Sequence, residues 1–425
     1  MKSDRRNSCH RVVQPFEFLT RRPEMYAMLK PLFFNARSTR PLHSPMTHSL
    51  ATSFAVLAVC TALGACQTRD KTGTVVDSSA GSLSATKGAS MSATNSMKDS
   101  MAAMNMPAKA APEQQLVLDE LGMLGGKPIE TLSATEARKQ PSPADAVTAL
   151  LKKEGKSTAP EAVGSVVNRT IPSADGSIPV RVYTPIGAGP FPIIVYYHGG
   201  GFVIATNDTY DASARALTNA VNAVLVSVEY RKAPEHKFPA AHDDALAAYK
   251  WVLANGATLH GDVARIAVAG ESAGGNLALA TTLTARASGI KLPVAILAVY
   301  PVAGNDTNTA SYRENANAKP LNRAMMSWFF KQYTRTPADA EDSRLNILGA
   351  NLKGLPPTTI ITAQLDPLRT DGEMLASKLR DAGVTVDYKN FDGAAHEFFG
   401  QGAVQPLAKQ AVQFAASGLK NALKN

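Results

Sequence analysis

A chain of 425 residues that is 45% hydrophobic and 19% charged can bury a sizeable core, which excludes a wholly disordered or fibrous protein. The formal charge is +9, yet residues 1–65 carry nine of the 44 basic side chains and three of the 35 acidic ones, leaving only +3 on the rest. No basic block of the kind that binds nucleic acid survives in the main body, so no nucleic-acid partner is expected.

In chain order, the first feature is an apolar run of 14 residues at 50–63, too short to span a bilayer comfortably and the length of a secretory h-region. Leu63-Gly64-Ala65-Cys66 follows it and resembles the lipobox of bacterial lipoproteins. That resemblance implies export, cleavage before Cys66 and lipidation of its thiol, with residues 1–65 acting as a leader. Gln67, rather than Asp, after the cysteine points to the outer membrane, on the periplasmic face of the envelope. Membrane contact is then expected through the lipid anchor only. Residues 1–45 have no clear periodicity, and Met46 is the expected start of translation. Arg21-Arg22 is a poor twin-arginine match. The other cysteines are Cys9 and Cys60, so the main body has no thiol for a disulfide or a metal site.

Residues 66–112 are rich in Ser, Ala, Thr, Lys and Met and lack an aliphatic pattern, which reads as a disordered tether. Met91, Met97, Met101, Met104 and Met106 offer soft ligands in principle. A low-complexity linker that uses methionine is the stronger reading, and no metal site is expected.

From 113 onward the pattern is that of a folded domain. Helical signals run to about 155: residues 116–121, a capping box at Ser133-Ala-Thr-Glu136, and Ser142-Pro143-Ala-Asp145 opening a helix that Gly155 stops. Residues 163–171 and 178–183 flank a Ser-Ala-Asp-Gly turn and predict an antiparallel hairpin. Six more β-rich runs follow at 191–198, 223–230, 265–270, 294–300, 358–363 and 385–391, most of them continuously apolar, as in strands covered on both faces. Helical segments at 208–222, 239–255, 273–288, 322–334 and 371–382 alternate with them. Alternation of this kind predicts an α/β fold, a mostly parallel eight-stranded sheet with helices on both faces.

Chemistry gathers at three places. Gly270-Glu271-Ser272-Ala273-Gly274 fits G-x-S-x-G, follows an apolar strand and opens a helix, the setting in which a strained turn pushes a serine hydroxyl out of the sheet. A serine needs a base, and the base needs an orienting acid. His396 is the only histidine after Ser272, so the base is nearly forced. Candidate acids are Asp366, Asp371, Asp387, Asp392 and Glu397. Asp366 falls just past the run at 358–363, and the carboxyl ends of strands are where an open α/β sheet gathers its active groups, so Asp366 is preferred. Asp371 reads instead as an exposed acid at a helix N-terminus. His198-Gly199-Gly200-Gly201-Phe202, after the run at 191–198, offers backbone N–H groups for a developing oxyanion, with the N–H of Ala273 as a further donor. His198 itself reads as a brace for that loop.

Together these motifs resemble the hormone-sensitive-lipase family of bacterial esterases, the family IV lipolytic enzymes with an α/β-hydrolase fold. The block at 228–241 (VEYRKAPEHKFPAA) resembles that family's VDYRLAPEHPFPAA, and Asp366-Pro-Leu and His396-Glu-Phe follow in order. The resemblance covers 113–425. It implies a catalytic domain with an N-terminal helical cap at about 113–160, an oxyanion hole at Gly200 and Gly201, and a small-molecule ester as substrate. Glu229, Lys232, Glu271 and Glu397 depart from the family pattern at positions around the site. An amidase, peptidase or lactonase could use the same triad, and a binding protein of this fold would lack His396. No cofactor is implied, and oligomeric state is not legible.

Overall fold

A computed structural model describes residues 108–424. The leader, Cys66, the methionines at 91–106 and all but the last residues of the tether lie outside the described residues. Among the described residues, no helix is long and apolar enough to cross a membrane.

The domain opens with α1 (Pro112–Met123), a short α2 (Ala134–Ala137) and α3 (Pro143–Lys153). Ser133 and Ser142 cap α2 and α3 through reciprocal boxes with Glu136 and Asp145, and prolines sit in the first turns of α1 and α3. Helices α1 and α3 bury Val117, Ala146, Val147 and Leu151 against each other in a small core of their own. The body starts slightly before the expected boundary of 113, because the Ala111 N–H donates to the Gly393 carbonyl at 2.9 Å.

The sheet follows. β1 (Ser165–Ser173) and β2 (Gly176–Thr184) form the antiparallel hairpin, closed at the Ser173–Gly176 pair. Next come β3 (Phe191–Tyr197), α4 (Asp211–Val221), β4 (Val224–Val228) and α5 (Ala240–Asn255). β5 (Gly261–Glu271), α6 (Ala273–Ala287) and β6 (Ala295–Val299) lead into α7 (Ala310–Glu314) and α8 (Arg323–Tyr333). The chain ends with β7 (Thr358–Leu365), α9 (Arg369–Asp381), β8 (Val386–Ala395) and α10 (Pro406–Leu423).

The strand order is β1-β2-β4-β3-β5-β6-β7-β8, antiparallel from β1 to β4 and parallel from there to β8. Alternate side chains serve the two faces. Val195, Val226, Val268 and Ile360 pack against α5, α6 and α9, while Ile194, Leu225, Ala269 and Ile361 pack against α4 and α10. This is the predicted α/β fold. Helix α10 lies beyond the expected helical segments. Its buried stripe, Ala408, Ala411, Val412, Ala415, Ala416 and Leu419, is mostly alanine, which gives a weak apolar signal although the spacing is helical.

Candidate active site

Ser272 is the single residue between β5 and α6, at φ 56° and ψ −117°, a conformation a non-glycine residue adopts only under constraint. Its flanking glycines explain how the turn closes. A Cβ on Gly270 would lie 2.1 Å from the Gly274 carbonyl oxygen, and one on Gly274 would lie 1.9 Å from that of Tyr197. The turn therefore exists only with glycine on both sides.

His396 lies just past β8 and Asp366 just past β7. The Ser272 hydroxyl donates to His396 Nε2 at 3.0 Å, and His396 Nδ1 donates to Asp366 Oδ2 at 2.7 Å. The second Asp366 oxygen accepts the Leu368 N–H at 2.8 Å, and the carboxylate is fully buried. Burial pulls the imidazole pKa down. The Asp366 charge and hydrogen bond, with the charges of Glu397 and Glu271, outweigh it and hold His396 above the ordinary histidine value.

The other candidate acids lie elsewhere. Asp387 and Asp392 are exposed on β8. Asp371 corrects the expectation of an exposed helix-terminal acid. It is 1% exposed, accepts the Ala303 and Gly304 N–H groups at 3.1 and 2.9 Å, and burial pushes its carboxyl up to about 7. It pins the loop after β6. Glu397 places Oε1 3.9 Å from His396 Nε2 and accepts the Tyr210 hydroxyl at 2.5 Å.

The 198–201 loop is held open by its own backbone. Gly200 and Gly201 have φ of 95° and 59°. Among the described residues neither of their N–H groups donates to a protein acceptor. A Cβ would meet the Ile204 carbonyl oxygen at 2.3 Å in the first case and the Phe329 ring at 2.2 Å in the second. Ala273 opens α6, so its N–H has no acceptor within the helix. His198 braces the loop as expected: its ring stacks on Tyr230 at 4.4 Å and Nδ1 donates to the Gly199 carbonyl at 2.8 Å. Burial pushes His198 down to about 4, so it stays neutral. The 228–241 block supports this loop from beneath. The Tyr230 hydroxyl donates to the His198 carbonyl at 2.8 Å, and the Arg231 guanidinium grips buried Asp244 at 2.8 Å.

Glu271 is buried beside the histidine, where its carboxylate accepts the hydroxyls of Tyr196 and Tyr300, and burial with the neighbouring Glu397 charge pushes it up to about 7. Tyr300 lies with its ring centre 4.5 Å from that of His396.

Ser272, His396, Gly200 and Gly201 line one cavity of about 440 Å³. Its roof comes from the N-terminal segment (Leu118, Leu121, Ile129) and from α8 (Met325, Met326, Phe329). Arg138 ties the roof down, donating to the Val203 and Ala233 carbonyls at 2.8 and 2.7 Å, and the Trp328 indole donates to the Leu132 carbonyl at 3.2 Å. The contribution of α8 was not legible, since an apolar stripe on a helix reads as ordinary core. Among the described residues, no group of three or more His, Cys, Asp or Glu side chains is placed to hold a metal ion.

Residues 194–400 match a family profile described as alpha/beta hydrolase fold. The chain is 41% identical over 251 residues to carboxylesterase NlhH of Mycobacterium tuberculosis, covering 58% of this chain and 79% of that one. It is 32% identical over 317 residues to an ethyl acetate hydrolase of Pseudomonas putida, covering 72% and 97%. The hyperthermophilic esterase of Pyrobaculum calidifontis superposes with a TM-score of 0.67 at 36% identity, over 74% of this chain and 98% of that one.

Proposed function

The chain belongs to the hormone-sensitive-lipase (family IV) esterases of the α/β-hydrolase superfamily and is a serine ester hydrolase, and from that premise we propose that it cleaves short- to medium-chain acyl esters through an acyl-enzyme on Ser272. The observation that carries the reading is the line from Ser272 Oγ to His396 Nε2 at 3.0 Å and from Nδ1 to Asp366 at 2.7 Å.

As Ser272 attacks the ester carbonyl, His396 takes its proton and then gives it to the leaving alcohol, and water repeats the sequence to release the acid. Asp366 holds the imidazole in the working tautomer. The N–H groups of Gly200, Gly201 and Ala273 receive the oxyanion, a preorganised site of the kind worth about 10²–10³ in rate per donor. The apolar roof over Ser272 supports a limit on acyl length. Each methylene that fits adds up to about 0.8 kcal/mol of burial, so activity should climb with chain length and then fall abruptly.

Assay against aryl esters graded from two to sixteen acyl carbons tests this, with about C2–C8 expected to be preferred. Preference for C16 emulsions with activation at an oil interface would contradict it.

We also propose that the enzyme is exported and anchored through a lipidated Cys66. The reading is supported by the apolar run at 50–63 and the small residues before the cysteine, all outside the described residues. Cys66→Ser should abolish the lipid mass shift and release activity from the membrane fraction. Wild-type enzyme found in the cytoplasm with residues 46–65 attached would contradict the assignment.

A further inference from the structure

We propose that Glu397, held by Tyr210 on the Nε2 side of His396, is a positioning residue whose charge stabilises the imidazolium formed as Ser272 attacks and so sets the acid limb of the rate. The inference rests on the ester-hydrolase reading of the site.

Asp366 occupies one nitrogen of His396, at 2.7 Å from Nδ1, and Glu397 faces the other, at 3.9 Å from Nε2. At 3.9 Å the carboxylate is beyond hydrogen-bonding distance, so Ser272 keeps the hydrogen bond to Nε2 and Glu397 acts through its charge. Its position is fixed rather than incidental. The Tyr210 hydroxyl donates to it at 2.5 Å, and that hydroxyl is packed so close to the 198–201 loop that a Cβ on Gly199 would lie 2.2 Å away. The Tyr210–Glu397 bond therefore ties the histidine loop to the oxyanion loop.

Neither the backbone nor the surrounding charge favours a glutamate here. Glu397 sits at φ 68°, in the left-handed region that glycine enters freely and glutamate does not. Its neighbours are also acidic: Asp366 from the loop after β7 and Glu271 from the end of β5. Burial and the Asp366 charge hold the Glu397 carboxyl above the ordinary carboxylate range, with the facing imidazole and the Tyr210 hydrogen bond opposing them. Glu271, also near His396, is engaged by Tyr196 and Tyr300, and burial brings it to about 7, so near neutral pH it carries only part of a charge. Tyr300, whose ring packs on the imidazole, is held protonated by burial. Glu397 is thus the carboxylate on the Nε2 side that the rising charge on His396 meets.

The test is the kcat/KM–pH profile, from pH 5 to 9 on a short aryl ester, for wild type, Glu397→Gln and Glu397→Asp. Gln keeps an acceptor for Tyr210 and loses the charge. It is expected to lower the acid limb by about 1 unit and the plateau kcat about three- to tenfold, with KM little changed. Asp keeps the charge but withdraws it by one methylene, and its limb should fall between the other two. An active wild type whose limb coincides with those of both variants overturns the proposal. If Gln fails to fold, the Asp limb decides alone: displacement supports the inference and coincidence with wild type overturns it. A wild type inactive on every ester would strike at the hydrolase reading itself.

Discussion

Asp366 and His396 meet at 2.7 Å, and neither side chain is more than 4% exposed. The pair is therefore a desolvated unit in which the acid fixes which imidazole nitrogen carries the proton. Asp366→Asn should leave the packing intact and favour the wrong tautomer, lowering kcat by about 10⁴ with little change in KM. Steady-state kinetics on a short aryl ester checks this, and a variant with a tenth of wild-type kcat would remove Asp366 from the triad.

The same contact sets the pH dependence. His396 must be neutral to accept the serine proton, and Asp366 with the nearby carboxylates outweighs burial to hold it above the ordinary value. Activity is thus lost below the folded-state pKa and gained above it. The kcat/KM limb should be centred above about 6.5, the value for unperturbed imidazole. In Asp366→Asn, whatever activity survives should show a limb displaced to lower pH. A wild-type limb centred below pH 6 would contradict the balance of charge and burial described here.

Asp371 makes a separate prediction about stability. Its folded pKa is pushed up to about 7 from an ordinary 3.8, so between these values the folded state binds the extra proton. Stability from this group therefore falls as pH rises through that window. Asparagine can accept the Ala303 and Gly304 N–H groups without a charge to bury. Asp371→Asn should gain on wild type by at least about 2 °C in Tm between pH 4 and pH 8. A constant difference across that range would contradict the burial argument.

Phe329 is 6% exposed and lies where a Cβ on Gly201 would touch its ring at 2.2 Å. Phe329→Ala opens the roof of the cavity beside the 198–201 loop. The preferred acyl chain should lengthen, each newly accommodated methylene adding up to about 0.8 kcal/mol, while stability falls by as much as about 3–5 kcal/mol. Chain-length profiles and denaturant unfolding of the variant measure both. An unchanged length optimum would place the acyl group elsewhere.

Much of this was legible in the sequence because the signals were local. β-rich runs marked all eight strands, most of the later ones continuously apolar, and G-x-S-x-G mattered because it joined such a run to a helix. His396 could be chosen by elimination, and Asp366 by its place at a strand's carboxyl end. What stayed hidden depends on contacts far apart in the chain. Asp371 looked like a helix-terminal acid because nothing nearby reveals that residues 303 and 304 donate to it. Tyr210 and Glu397 are 187 residues apart, and nothing local pairs them. Phe329 belongs to no motif, and only the packing of α8 over the site puts it both in the core and on the cavity. Helix α10 hid behind alanines whose burial is decided by the sheet they cover.

If Ser272 is the nucleophile, covalent labelling will mark it. An aryl phosphonate ester should inactivate the enzyme stoichiometrically as the Ser272 oxygen bonds to phosphorus and displaces one equivalent of phenol, and peptide mass spectrometry should place the adduct on Ser272. Ser272→Ala should take up no label and lose ester turnover by about 10⁴–10⁶ while keeping its Tm. A label on another residue, or ester turnover in Ser272→Ala near the wild-type rate, would contradict the account.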